Sequence, residues 1–242
     1  MELEHSHEPD AIRERFASPP HPGYLRDWIY GGIDGAITTF AIVAGVVGGN
    51  LSWTVVLVLG IANLVADGFS MAASNYSGTK AERDNYDRLY ARERRHIDFR
   101  PDGEREEIRQ IFEAKGFKGG YLEHAVRAIT ANEERWIETM LAEEYGLSRV
   151  VKSPVKAGFC TFVAFVLAGA VPLVSYLPTS NLLVASVATG IVFFTIGAVK
   201  SRWSPASLWA SGLETFGIGM GAAALAYSIG HALNVFMLGG PQ

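Results

Sequence analysis

Charge in this chain is confined to blocks. The stretches Trp28–Asn50, Val55–Tyr76, Ala157–Leu177, Leu182–Val199 and Leu208–Phe236 are long and apolar, with very few ionisable side chains. Most Lys, Arg, Asp and Glu fall in the first 27 residues or between Lys80 and Lys156. A water-soluble fold interleaves charge along each of its elements. Segregation on this scale, in a chain that is 49% apolar yet 19% charged, points to a membrane protein carrying a polar insertion. About 20 apolar residues cover the hydrocarbon core as a helix, and a backbone in lipid has to satisfy its own hydrogen bonds. The expected fold class is therefore all-α: a five-span transmembrane helix bundle with a helical insertion between spans 2 and 3. The expected division is a tail over residues 1–24, spans 1 and 2 over 25–78, the insertion over 79–153, and spans 3 to 5 over 154–242.

The connectors predict one orientation. Leu51–Thr54, Pro178–Asn181 and the C-terminal segment carry no Lys or Arg, whereas the tail holds Arg13, Arg15 and Arg26, the insertion is rich in Arg, and the fourth connector holds Lys200 and Arg202. The excess of positive charge puts the N-terminus, the insertion and the Lys200–Arg202 loop in the cytosol and the C-terminus outside. The polar tail has no apolar run that would make it a signal peptide, and the short connectors favour a bacterial inner membrane. A net charge of −4 argues against a nucleic-acid partner. Cys160 is the only cysteine, so no intramolecular disulfide forms, and it reads as a small packing residue.

Glycines cluster in the first span (Gly31, Gly32, Gly35) and the fifth (Gly217, Gly219, Gly221). Small residues one turn apart let helix backbones approach closely in lipid, either within one bundle or across a homodimer seam. The acids inside the spans are more informative, because each costs at least ~2.5–3.5 kcal/mol to place in a membrane. Asp34 lies about two turns into the first span, Asp67 and Met71 share one face of the second, and Glu214 lies about two turns into the fifth. Counted from the cytosolic boundary, Asp34, Met71 and Glu214 sit at a common depth of roughly 8–10 Å, with Asp67 one turn deeper. Carboxylates with a thioether at one level suit a divalent cation of some softness, such as Fe2+, whereas oxygen ligands alone would suit Mg2+ or Ca2+ equally.

The insertion is strongly helical in composition. Helices are predicted over Thr79–Asp98, continuing from the second span, over Asp102–Lys115 with Asp102 or Gly103 as N-cap, and over Leu122–Tyr145. Glu93 and His96 are three apart, as are Glu104 and Glu107, and Met140 and Glu144 are four apart, so each pair shares a helix face. Three such faces converging would make an acidic metal cage. A solvated face laced with salt bridges has the same spacing, and the pattern alone leaves both readings open. The tail histidines His5, His7 and His21 read as exposed rather than as ligands.

The stretch RDWIYGGIDGAITTFAIVAGVVGG from Arg26, together with DGFSMAASNYSGTKAERD in the second span and SPVKAGFCTFVAFVLAGAVPL in the third, resembles the vacuolar iron transporter family. The resemblance runs from about Leu25 to the C-terminus. It implies homodimers of five-span subunits with a helical cytosolic metal-binding insertion, exporting Fe2+, sometimes Mn2+, from the cytosol against protons. Carried over residue by residue, it implies that Asp34 and Met71 belong to the transport site. It places the cytosolic cage on Glu93, Glu104, Glu107, Met140 and Glu144. His96 stands where family members carry another glutamate, and imidazole is itself a competent iron ligand. Asn63 stands where plant members carry an intramembrane glutamate, and Asp67, one turn on, is placed to compensate.

The expected partners are thus divalent metal ions (Fe2+, with Mn2+, Zn2+ or Co2+ as other candidates), protons, the lipid bilayer and a second copy of the chain. No prosthetic group and no enzymatic reaction are expected. Two other readings stand beside transport. A membrane-anchored di-iron carboxylate oxidase would use Glu93-x-x-His96, but needs a second such element that the insertion lacks. A metal sensor or buffer would use the cage alone and leave the intramembrane acids without a purpose.

Overall fold

A computed structural model describes residues 6–17, 22–147, 152–178 and 180–238. Its elements are helical throughout the described residues, in the order α1 (Pro9–Ala17), α2 (Leu25–Gly48), α3 (Trp53–Phe99), α4 (Pro101–Ala114), α5 (Gly119–Thr130), α6 (Glu133–Tyr145), α7 (Pro154–Tyr176), α8 (Leu182–Lys200) and α9 (Leu208–Leu238), with a 3-10 turn at Ser201–Trp203. Five of them, α2, α3, α7, α8 and α9, are long and apolar enough to cross a membrane. The chain is therefore an all-α protein with a five-span bundle. His5 and His21 lie outside the described residues, and His7 is exposed just before α1.

The chain divides into two compact units, an apolar one over Tyr24–Lys80 and Ser153–Gln242 and a polar one over Met1–Gly23 and Ala81–Lys152. In the apolar unit α2 is the most buried span and packs on α7, α9 and α8, whereas α3 and α9 expose most of their apolar surface. Ala36, Phe40, Val43 and Ala44 of α2 form the core with Leu173 and Tyr176 of α7, Phe193 of α8 and Ala223 of α9. The first-span glycines serve this packing within one chain. A Cβ at Gly31 would lie 2.2 Å from the Thr161 carbonyl oxygen, and one at Gly35 2.3 Å from that of Phe165, so α2 and α7 touch backbone to backbone. Of the fifth-span glycines Gly217, Gly219 and Gly221, Gly219 packs on Phe193 while the other two face open space; further along α9, a Cβ at Gly230 would lie 2.1 Å from the Gly45 carbonyl oxygen of α2. Pro172 sits inside α7 and is buried, as lipid-embedded helices tolerate when neighbours enclose the freed carbonyl.

In the polar unit two expectations are corrected. The stretch from Leu122 to Tyr145 is two helices, because the Asn132 side chain accepts the Arg135 amide at 2.8 Å and starts α6 afresh, with Glu133 and Glu134 favourably placed in its first turn. The cap of α4 is Arg100, with Pro101 at the first helical position, and not Asp102 or Gly103, since proline needs no amide partner there. Two apolar clusters hold this unit. One comprises Ile108, Leu122, Val126, Trp136 and Met140, the other Leu89, Ile137 and Leu141.

Candidate functional site

The apolar unit carries a polar seam between α2 and α3. Asn63, Asp67, Met71 and Asn75 recur every four residues and share one face of α3. Asn63 donates its amide to the hydroxyls of Thr38 (3.1 Å) and Thr39 (3.3 Å), and Thr38 in turn donates to the Asp34 carbonyl at 2.9 Å. One turn along in each helix, Asp34 and Asp67 are close enough for their charges to interact. Two turns further, Asn75 donates to Asp27 at 3.0 Å and reaches the Thr161 hydroxyl of α7 at 2.6 Å. These rungs share one antiparallel register, which puts the carboxylate pair Asp34 and Asp67 between two amide rungs, with Met71 one turn from Asp67. Asp27, Asn75 and Thr161 were not singled out from the sequence. Asp27 stands seven residues before Asp34, and Asn75 four after Met71, so helical spacing extended beyond the chosen acids would have found them.

Glu214 is placed differently. Its carboxylate is exposed and lies 3.1 Å from the Lys200 ammonium at the end of α8. Asn63, at the position where a glutamate was expected by resemblance, is bound to α2 through its amide rather than holding a charge.

The polar unit brings together residues from three helices. Ligand-capable atoms of Glu93 and His96 (α3) and Glu104 (α4) all lie within 4.8 Å of one another. His96 Nδ1 is 3.4 Å from Glu104 Oε1 and 3.8 Å from Glu93 Oε2. Glu93 and Glu104 are buried, and the second oxygen of Glu104 has no hydrogen-bond partner. An unpartnered buried carboxylate oxygen is costly unless something positive completes it. Glu107 and Glu144 lie near enough to act electrostatically: burial, then the charges of Glu107 and Glu93, push the Glu104 carboxyl up to about 7. Burial and the charges of Glu144 and Glu93 likewise raise Glu107. Met140 is fully buried and packs with Ile108 and Trp136.

The acidic residues of this unit differ in their partners. Asp102, Glu106, Glu123, Glu133 and Glu143 are each paired with an Arg or Lys, as a solvated face requires. Of the glutamates expected at the cage, Glu93 meets Arg92 through one oxygen, while Glu104, Glu107 and Glu144 meet no Arg or Lys among the described residues.

The family model described as the VIT family matches residues 25–231. The chain is 31% identical over 210 residues to vacuolar iron transporter 1 of Arabidopsis thaliana, covering 85% of this chain and 84% of that protein. It is 33% identical over 215 residues to vacuolar iron transporter 1 of Eucalyptus grandis, covering 87% and 86%. To the vacuolar iron transporter of Plasmodium falciparum it is 31% identical over 194 residues, covering 74% and 71%.

Proposed function

We propose, from the premise that this chain belongs to the VIT family, that it carries divalent metal, Fe2+ foremost and Mn2+ next, out of the cytosol in exchange for protons. The observation that carries the reading is the Asp34–Asp67 pair, with Met71 one turn from Asp67, set within two membrane-spanning segments. Two carboxylates facing each other at membrane depth need positive charge to stay there. One divalent ion neutralises both, and so do two protons, but no carboxylate oxygen holds both at once. The exchange that keeps the pair neutral throughout is therefore one metal for two protons. The Met71 thioether biases the site toward transition metals and away from Mg2+ and Ca2+.

In this reading Glu93, His96, Glu104, Glu107 and Glu144, with Met140 as the soft group that the resemblance implies, gather metal from the cytosol and pass it to Asp34, Met71 and Asp67. Zn2+ and Co2+ also suit this mixed donor set. Glu214 contributes as one half of an ion pair with Lys200. The distribution of Lys and Arg supports a cytosolic N-terminus and insertion with the C-terminus outside, in a bacterial inner membrane, and the exposed face of α3 leaves room for a second copy of the chain. The paired intramembrane acids favour transport over an oxidase or a buffer, neither of which uses them. Fe2+ flux into proteoliposomes under an imposed pH gradient tests the proposal. Flux should follow the gradient and vanish in Asp34→Asn, and undiminished flux in that variant would refute the assignment.

A further inference from the structure

Glu93 presents a specific puzzle. It is 1% exposed, yet a carboxylate that serves a metal has to keep one oxygen free and aimed. Its two oxygens are used differently. Oε1 takes the Arg92 Nε at 3.3 Å and the Tyr145 hydroxyl at 3.2 Å. Oε2 points to His96, whose Nδ1 is 3.8 Å away, on the side where Glu104 lies. The two donors on Oε1 are also tied to each other. The Arg92 guanidinium sits 5.0 Å over the Tyr145 ring, and one of its amino groups donates to the Tyr145 hydroxyl.

Each part is fixed from elsewhere. Tyr145 packs on the cluster Leu89, Ile137 and Leu141. It closes α6, where Gly146 at φ 64° takes the left-handed conformation and the Leu147 amide returns to the Leu141 carbonyl at 2.9 Å. Arg92 comes from α3, one residue from Glu93, and its planar fork suits two oxygens at once. The salt-bridge pattern of the remaining surface does not explain this arrangement, because here the cation is turned to one oxygen of a buried acid and shares it with a phenol.

We propose that Arg92 and Tyr145 are positioning residues for metal binding: together they hold Oε1 of Glu93 and so aim Oε2 at the cation between His96 and Glu104. Groups that fix the orientation of a ligand commonly change metal affinity by about 10- to 100-fold when lost. The pair also ties α3 to α6, so it fixes the spacing of these two helices as well as the plane of the carboxylate. This inference rests on the cage reading above.

Tyr145→Phe is the discriminating variant, since it keeps the ring, its packing and its contact with Arg92 and removes only the hydroxyl. Co2+ binding is measured on the full chain in detergent by titration and by the visible absorption of the bound ion. All proteins carry Asp34→Asn, so that only the polar unit reports. Tyr145→Phe should bind Co2+ about tenfold or more weakly with altered absorption bands, while its metal-free melting temperature stays that of the parent. Arg92→Lys, which cannot fork, should behave alike. Unchanged affinity and bands in Tyr145→Phe, with binding lost in Glu104→Gln, would overturn the positioning role alone. Binding that survives Glu104→Gln would overturn the cage itself and this role with it.

Discussion

Glu104→Gln should make the metal-free protein more stable while removing its response to metal. A carboxyl that titrates at about 7 rather than 4.5 carries about 3 kcal/mol of strain in its ionised form. Relaxation and water entry reduce this, so ~1–2 kcal/mol is expected at pH 8. The amide is neutral and can donate to neighbouring carboxylates, so it escapes that strain. Because the folded-state value is raised, the stability from this group is fully present below about 4.5 and is lost as pH rises through about 7. The advantage of the variant should therefore appear at pH 8 and vanish at pH 5. Hydrogen–deuterium exchange of the α4 and α6 amides reads it as roughly 5- to 30-fold slower opening at pH 8. Added Mn2+ at 100 times its dissociation constant should protect the parent by about 2.7 kcal/mol and the variant far less. Faster exchange in the metal-free variant at pH 8, or equal protection of both proteins by Mn2+, would refute the reasoning.

Metal affinity of the polar unit should fall about tenfold per pH unit below 7, as the proton competes for Glu104, and an affinity flat from pH 5 to 8 by calorimetry would contradict it. Gly35→Ala should lower the melting temperature in detergent, since its Cβ meets the Phe165 carbonyl at 2.3 Å and overpacking costs roughly 1–3 kcal/mol, whereas Gly217→Ala faces open space and should be neutral. Glu214→Gln should retain most Fe2+ flux, because its carboxylate is exposed and paired with Lys200, and abolition of flux would return Glu214 to the path. Flux should be insensitive to an imposed membrane voltage at fixed pH gradient if one metal exchanges for two protons, and a voltage-driven current would exclude that ratio.

The spans were legible because lipid imposes a single requirement, twenty or so apolar residues in a self-satisfied backbone, and charge segregation records it directly. The break at Asn132 was not, since the surrounding sequence keeps helical composition and only the local side-chain cap decides where a helix restarts. The same limit applied to the sites. Spacing brought Glu93, His96 and Glu104 forward and could not say which acids arginines would meet, since that depends on contacts in space: Arg92 reaches Glu93, and Arg109 reaches Glu106 and Glu123 but not Glu104. Tyr145 and Asp27 escaped notice because a phenol at a helix end and an acid in a first turn have ordinary uses. Their importance here depends on the residues opposite, Glu93 and Asn75, 52 and 48 positions away.

The four-residue repeat on α3 has a mechanical consequence. Asn63, Asp67, Met71 and Asn75 act like teeth of a rack against α2, each one helical turn from the next. A slide of α3 by four residues, ~6 Å, would bring each of these side chains to the level of the next and change what each meets. Asp34 would then face the thioether of Met71 or the amide of Asn63 in place of the carboxylate of Asp67. The hardness of the surroundings of one fixed acid is thus set by the position of its neighbour helix, with no change in the fold of either.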